Sequence, residues 1–244
     1  MKALILGAGY GVRLYPLTKN IPKALLPMGG IPIIERILKK VLPLKGLDKI
    51  YIVTNQRFYR NYEHWLSTYP ARKKITLCDD GTTSNDDRLG AIGDIQFILE
   101  KYNIKDNLLI IAGDNLFDFN LSDFVRFFTK YGSTVALKNM QGRDKKLISQ
   151  YSIVTLDKDK RIIDFEEKPP EPQGALIAIC LYLFTIKELG MIKQYLRMGC
   201  NPDAPGYYIQ WLYKKSPLYG CILKGKWFDI GDIDSYNQAN NYYS

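Results

Sequence analysis

Four short stretches of this chain carry residue types suited to phosphate chemistry. The first is Leu6-Gly7-Ala8-Gly9-Tyr10-Gly11-Val12-Arg13, followed closely by Pro22-Lys23. Glycines at a strand end let backbone N–H groups approach phosphate oxygens that side chains would hold away. Leu6, Gly7, Ala8, Gly9 and Gly11 are therefore candidate nucleotide contacts. Arg13 and Lys23 lie among turn formers, so both can fold back over the loop and neutralise a triphosphate. The run is not a dinucleotide fingerprint, because Val12 stands where the third glycine belongs and the next strand ends at Asn55 without an acid for a ribose. No Lys-Ser/Thr pair closes it as a P-loop would.

The second stretch, Ile110-Ile111-Ala112-Gly113-Asp114, puts an acid directly after a buried strand. A divalent cation bridging phosphates needs a hard oxygen ligand at that edge, although a lone aspartate there also suits a helix cap or an Asx turn. The third is the charged run Phe165-Glu166-Glu167-Lys168-Pro169, which by itself reads as a solvated turn. The fourth, Asp80 to Ile92, is a polar connection long enough to suggest function, with Asn85 able to offer an amide to a base and Gly90 a backbone contact. The one histidine, His64, has no imidazole partner and reads as a surface residue. Asp157-Lys158-Asp159 matches a D-x-D metal motif in letters but falls in a hairpin turn.

Elements that would position these residues follow from the apolar pattern. Lys2 to Leu6, Lys49 to Thr54, Lys74 to Cys78 and Asn107 to Ala112 read as buried strands. Ile33 to Val41, Leu89 to Tyr102 and Leu121 to Tyr131 read as amphipathic helices between or after them. Alternation of this kind predicts a mainly parallel sheet covered on both faces, with ligands at the carboxyl ends of its strands. From Tyr151 the rhythm changes to a hairpin, Tyr151 to Leu156 and Arg161 to Phe165, a small antiparallel addition. The 244 residues predict one domain, 1–244, with about 1–150 mainly binding nucleotide and about 151–244 mainly binding the acceptor.

Composition narrows the class. A formal charge of +9 favours anionic partners. Four scattered cysteines indicate neither a zinc ribbon nor a disulfide framework, and the apolar runs are too short for a signal peptide or a membrane span. The expectation is a cytoplasmic protein that binds neither nucleic acid nor membrane. Assembly into a homo-oligomer stays open.

Gly9-x-Gly11-x-Arg13-Leu14-x-Pro16-Leu17-Thr18, followed by Pro22-Lys23-x-Leu25-Leu26-Pro27, resembles the signature of the sugar-phosphate nucleotidylyltransferases, the family that contains glucose-1-phosphate thymidylyl- and uridylyltransferases. The resemblance implies a three-layer α/β/α, Rossmann-like (GT-A-like) nucleotidyltransferase fold with a mixed, mainly parallel sheet. It gives Arg13 the β- and γ-phosphates and Lys23 the α-phosphate. Trp227-Phe228-Asp229-Ile230-Gly231-Asp232 is similar to the family's tryptophan-x-aspartate-x-glycine segment, which implies that Asp229 joins Asp114 in holding Mg2+. Asp232 fits a helix N-cap better, and Trp227 fits packing. Glu166-Glu167-Lys168-Pro169 resembles the glutamate-lysine-proline segment at the sugar phosphate, with Lys168 on the phosphate and Glu167 on a hydroxyl. Gly90-Ala91 matches a glycine-alanine element beside the base.

Departures cluster on the acceptor side. Ser152 and Cys180, which the resemblance places at the sugar phosphate with Glu167 and Lys168, stand where thymidylyltransferase-like members have glycine, and Pro202 to Tyr207 lacks their arginine and glutamate. Val12 replaces a Thr or Ser, and Asp86-Asp87-Arg88 does not resemble the usual glycine-threonine. The resemblance implies an enzyme of nucleotide sugar biosynthesis. It would transfer a nucleotidyl group from a nucleoside triphosphate, dTTP or UTP ahead of CTP, to a sugar 1-phosphate similar to glucose 1-phosphate, with pyrophosphate released. The competing readings are a nucleotide-sugar-dependent glycosyltransferase and a catalytically silent sugar-nucleotide-binding regulatory protein.

Overall fold

Strand β1, Lys2–Leu6, is apolar along its length after Lys2 because both its faces are covered. Its Ala3 and Ile5 pack on one side of the sheet and Leu4 on the other. The computed structural model describes all 244 residues and builds the sheet outward from this strand. Two minor strands, β2 (Pro27–Met28) and β3 (Ile31–Pro32), form a separate hairpin before helix α1, Ile33–Val41. Strand β4 (Ile50–Thr54) pairs parallel with β1, helix α2 (Gln56–Thr68) follows, and β5 (Ile75–Asp79) pairs parallel with β4. Helix α3 (Gly90–Lys101) then carries the chain across to β6 (Leu108–Ala112), which pairs with the opposite edge of β1. The order thus reverses at β1, and the loop beginning at Gly7 lies at that switch point, where α/β sheets bind ligands.

The second half is mixed. Strand β7 (Asn115–Phe117), helix α4 (Leu121–Tyr131), strand β8 (Thr134–Asn139) and the short helix α5 (Lys145–Ile148) precede the hairpin of β9 (Ser152–Leu156) and β10 (Ile162–Glu166). The long strand β11 (Leu176–Phe184) is antiparallel to β6, β8 and β9, so it joins the two halves. Helices α6 (Ile186–Gly190), α7 (Ile192–Arg197) and α8 (Pro205–Leu212) lead to β12 (Tyr219–Ile222), parallel to β8. Strand β13 (Trp227–Asp229) and helix α9 (Ile233–Tyr243) complete the chain described.

One apolar cluster packs α1, α2, α4 and α9 against one sheet face, and a second packs α3 and α6 to α8 against the other. This is the expected three-layer, mainly parallel α/β arrangement. The expected hairpin forms, and α1 and α4 have the expected bounds. The antiparallel share is larger than one hairpin, because β11 alone contributes three antiparallel pairings. No helix is long and apolar enough to cross a membrane.

Candidate active site

The glycine loop is shaped by bonds from three directions. Gly7 N–H donates to the Val53 carbonyl at 2.8 Å, and a β-carbon at Gly7 would stand 2.6 Å from the Tyr62 hydroxyl oxygen. Asn55 Nδ2 donates to the Ala8 carbonyl at 2.7 Å, and the same side chain caps α2 by accepting from Phe58 N–H. Thr18 Oγ1 donates to the carbonyl of Gly11, which holds a left-handed φ of +62° that favours glycine. Arg13 and Lys23 each sit in a single 3-10 turn, Val12–Leu14 and Lys23–Leu25, more ordered than the turn-rich sequence implies.

Asp114 follows β6 by two residues. Gly113 lies between, its N–H bonded to the Leu6 carbonyl at 2.8 Å, and a β-carbon there would be 2.6 Å from that oxygen. Only glycine lets the chain turn this close to β1. Lys23 Nζ then reaches Asp114 Oδ2 at 2.7 Å, with both side chains mostly buried. Asn115 Nδ2 donates to the other carboxylate oxygen at 2.9 Å.

Asp229 arrives through a pairing absent from the sequence reading. Strand β13 lies antiparallel to β7, with Trp227 opposite Phe117, Phe228 opposite Leu116 and Asp229 opposite Asn115. Ile230 N–H donates to the Asp114 carbonyl at 3.0 Å, and Trp227 Nε1 donates to Asn115 Oδ1 at 2.7 Å. Two acids far apart in sequence therefore become neighbours. The Arg13 guanidinium lies beside the next turn, with Nη2 3.6 Å from where a Gly231 β-carbon would be.

The two carboxyls differ. Burial works to raise Asp114, but the Lys23 ammonium and its hydrogen bond outweigh burial and hold Asp114 below its ordinary value. Burial and the neighbouring Asp114 charge push Asp229 up, against the opposing pull of Lys23, Arg13 and Lys168. A cation between them would relieve this repulsion, and the hard oxygen donors suit magnesium. Nowhere do three or more His, Cys, Asp or Glu side chains gather to hold a metal. Two carboxylates match an ion that usually keeps waters and substrate phosphates as its other ligands.

The residues expected on the acceptor side meet as a second group. Ser152 Oγ donates to Glu167 Oε2, Glu167 N–H donates to Gln210 Oε1 at 2.8 Å, and a β-carbon at Gly206 would strike the Glu167 carboxylate. Lys168 adopts a left-handed φ of +46°, with Nζ 4.0 Å from Glu167 Oε1. Burial raises the Cys180 thiol, and the charges of Asp114, Asp229 and Glu167 add to that rise. Asn85 lies instead in the loop between β5 and α3, and Gly90 is the first residue of α3. Asn85 is exposed, and Gly90 faces the Pro202 carbonyl where a side chain would clash.

Sequence reasoning passed over Tyr151. Burial raises its phenol, as do the charges of Asp229, Asp232 and Asp114, while Arg13 opposes them. Its ring meets Trp227 edge-on at 5.3 Å. A tyrosine at the start of the expected strand Tyr151 to Leu156 was the available signal. Other expectations resolve plainly: Asp232 caps α9 in a capping box with Ser235, and Trp227 packs. Exposed His64 lines a ≈450 Å³ hollow with Ile21, Leu25 and Trp65. Asp157 Oδ1 accepts from the Asp159 and Arg161 N–H groups at 2.9 Å, so the D-x-D letters build the hairpin turn.

Comparison with known proteins bears on this geometry. The family model described as nucleotidyl transferase matches residues 2–244. The bifunctional protein GlmU of Methanocaldococcus jannaschii is 30% identical over 99% of this chain and 54% of its own length. The UTP–glucose-1-phosphate uridylyltransferase of Synechocystis is 28% identical over 98% of this chain and 62% of its own. The chain thus spans little more than half the length of these relatives. A Bacillus anthracis structure with sucrose, provisionally named a glucose-1-phosphate thymidylyltransferase, superposes with a TM-score of 0.83 and 26% identity over 100% of this chain and 95% of that one. With its glycine loop, paired cation and facing carboxylates on a Rossmann-like α/β sheet, the chain belongs to the nucleotidyl transferase family.

Proposed function

We propose that the protein transfers a nucleotidyl group from a nucleoside triphosphate, dTTP or UTP ahead of CTP, to a sugar 1-phosphate of the glucose 1-phosphate type. The observation that carries this reading is the Lys23–Asp114 pair at 2.7 Å with Asp229 across from Asn115, in front of the glycine loop. The named activities of the uridylyl- and thymidylyltransferase relatives support the substrate class. Residues 1–150 serve mainly the nucleotide, and 151–244 supply the acceptor contacts and Asp229. Four free cysteines accord with a reducing cytoplasm.

In the reaction, an oxygen of the acceptor phosphate attacks the α-phosphorus in line. The bond to the bridging oxygen of the β-phosphate breaks, and pyrophosphate departs with that electron pair. The attacking phosphate is already ionised, so no protein nucleophile or base is required. The chain's task is positioning and charge stabilisation. Arg13 holds the outer phosphates, Lys23 the α-phosphate and Lys168 the incoming phosphate, which brings two anions together. Backbone N–H groups of Gly9 and Gly11 meet phosphate oxygens that side chains would exclude. Mg2+ held by Asp114 and Asp229 would supply further positive charge to the triphosphate.

A matrix of the common triphosphates against sugar 1-phosphates, read by pyrophosphate release and product mass, tests the reading. The expected product is a uridine or thymidine diphosphate sugar. Tight nucleotide binding without turnover on any acceptor, or glycosyl transfer from a nucleotide sugar, would contradict it.

A further inference from the structure

The loop from Asp80 to Arg88 is closed from both ends. Asp80 Oδ1 accepts from Thr82 N–H at 2.7 Å and from its hydroxyl at 2.8 Å. Thr82 in turn meets the Tyr10 hydroxyl at 3.1 Å, and its carbonyl accepts from Gln56 N–H, which ties this loop to the glycine loop and α2. Arg88 grips Asp203 with two 3.0 Å bonds, while Ile92 N–H donates to the Pro202 carbonyl at 2.8 Å.

Beneath the loop, on the second turn of α3, lies Asp94. Its residue is only 6% exposed, and its Oδ1 has no partner among ordinary donors. Its side chain meets the Asp80 carboxyl within hydrogen-bonding reach. Two carboxylates cannot bond without a proton between them, and an orphaned buried oxygen is costly. One shared proton removes both problems.

We propose that Asp80 and Asp94 share one proton and that this proton latches the Asp80–Arg88 loop onto α3, making Asp94 a positioning residue for the loop that carries Asn85, the candidate contact to the nucleotide base. The consequence for nucleotide affinity rests on the proposed function above; the latch itself does not. The titratable neighbours are Asp79 at the end of β5 and Asp80 just after it, Asp203 in the turn before α8, Asp87 within the loop, and Tyr10 through Thr82. The loop's own cation, Arg88, is engaged by Asp203.

The sign of the pH dependence follows. Burial, with Asp80 beside it, pushes Asp94 up to about 8. A carboxyl raised in the folded protein retains its proton through neutrality, so the latch is closed at pH 6 to 7 and opens as pH rises through 8. Asp94→Asn keeps a donor toward Asp80 but has no proton to lose. Asp94→Ala removes the bond at every pH.

Two readouts on the full chain test the proposal. KM for the triphosphate is expected to rise about three- to tenfold between pH 7 and 9 in the native protein, with kcat changed in parallel in native and Asp94→Asn enzymes. In Asp94→Asn that rise is expected to vanish, and in Asp94→Ala KM is expected to be high throughout. Trypsin cleavage after Arg88, compared with Asp94→Asn at each pH to remove the protease's own profile, is expected to accelerate above pH 8 only in the native chain. Cleavage that tracks Asp94→Asn at every pH would overturn the latch. A latch visible to trypsin with a flat KM would support the latch and count against the loop as the base contact.

Discussion

Lys23→Ala is expected to lower turnover about 10²- to 10³-fold, the cost of losing one aligned charge stabiliser. The cause is double. On the proposed assignment the α-phosphate loses its cation, and Asp114 is left as a mostly buried carboxylate without the partner at 2.7 Å that keeps it ionised. The second effect should appear without substrate, as a loss of about 1–3 kcal/mol in stability. Lys23→Arg is expected to recover the stability better than the rate, because a planar guanidinium cannot occupy the ammonium's place at a single phosphate oxygen. Denaturant unfolding and pyrophosphate release on the same preparations separate the two. Near-native turnover in Lys23→Ala would remove this residue from the chemistry.

Asp229→Asn is expected to move activity and stability in opposite directions. Turnover should fall at least 10²-fold, since the metal would keep one carboxylate ligand instead of two. The ligand-free protein should nevertheless gain about 1 kcal/mol, or about 2–4 °C in Tm, because burial and the facing Asp114 charge both oppose an ionised Asp229. A site whose unliganded form is strained by like charge is expected where a cation and a polyphosphate later supply the compensation. Loss of activity accompanied by an equal loss of stability would make Asp229 a structural residue instead.

The sequence displayed Asp114 clearly because the uniformly apolar strand before it and the glycine beside it mark a sheet edge. Lys23 and Arg13 were visible as a spaced pair, although their contacts were not. The meeting of Asp114 with Asp229 was not readable from local pattern. Strands β7 and β13 have three residues each, and β13 is only half-buried, so neither shows the alternation that marks a strand. What joins them is a register between segments more than a hundred residues apart. Asp94 was hidden for a different reason. A polar residue in an amphipathic helix reads as solvent-facing, and only the packing of Asp80 and the 202–203 turn over α3 reveals it as buried. Lys168 is similar, since nothing in a lysine announces a left-handed φ of +46°.

Ser152 shows the limit from the acceptor side. Its departure from the family's glycine was plain, and the hairpin containing it was expected. The hydroxyl's engagement with Glu167 depends on the β9–β10 register, Glu166 opposite Ile153, and on Gly206 leaving room for the carboxylate.

Shared cation binding by Asp114 and Asp229 is most directly tested by Mn2+ titration of the UTP or dTTP complex, followed by electron paramagnetic resonance. Asp114→Asn and Asp229→Asn are each expected to weaken Mn2+ at least about tenfold, and the double variant to be little weaker than either single one, because both remove ligands from the same ion. Native Mn2+ affinity in either single variant would show that the two carboxylates do not serve one metal.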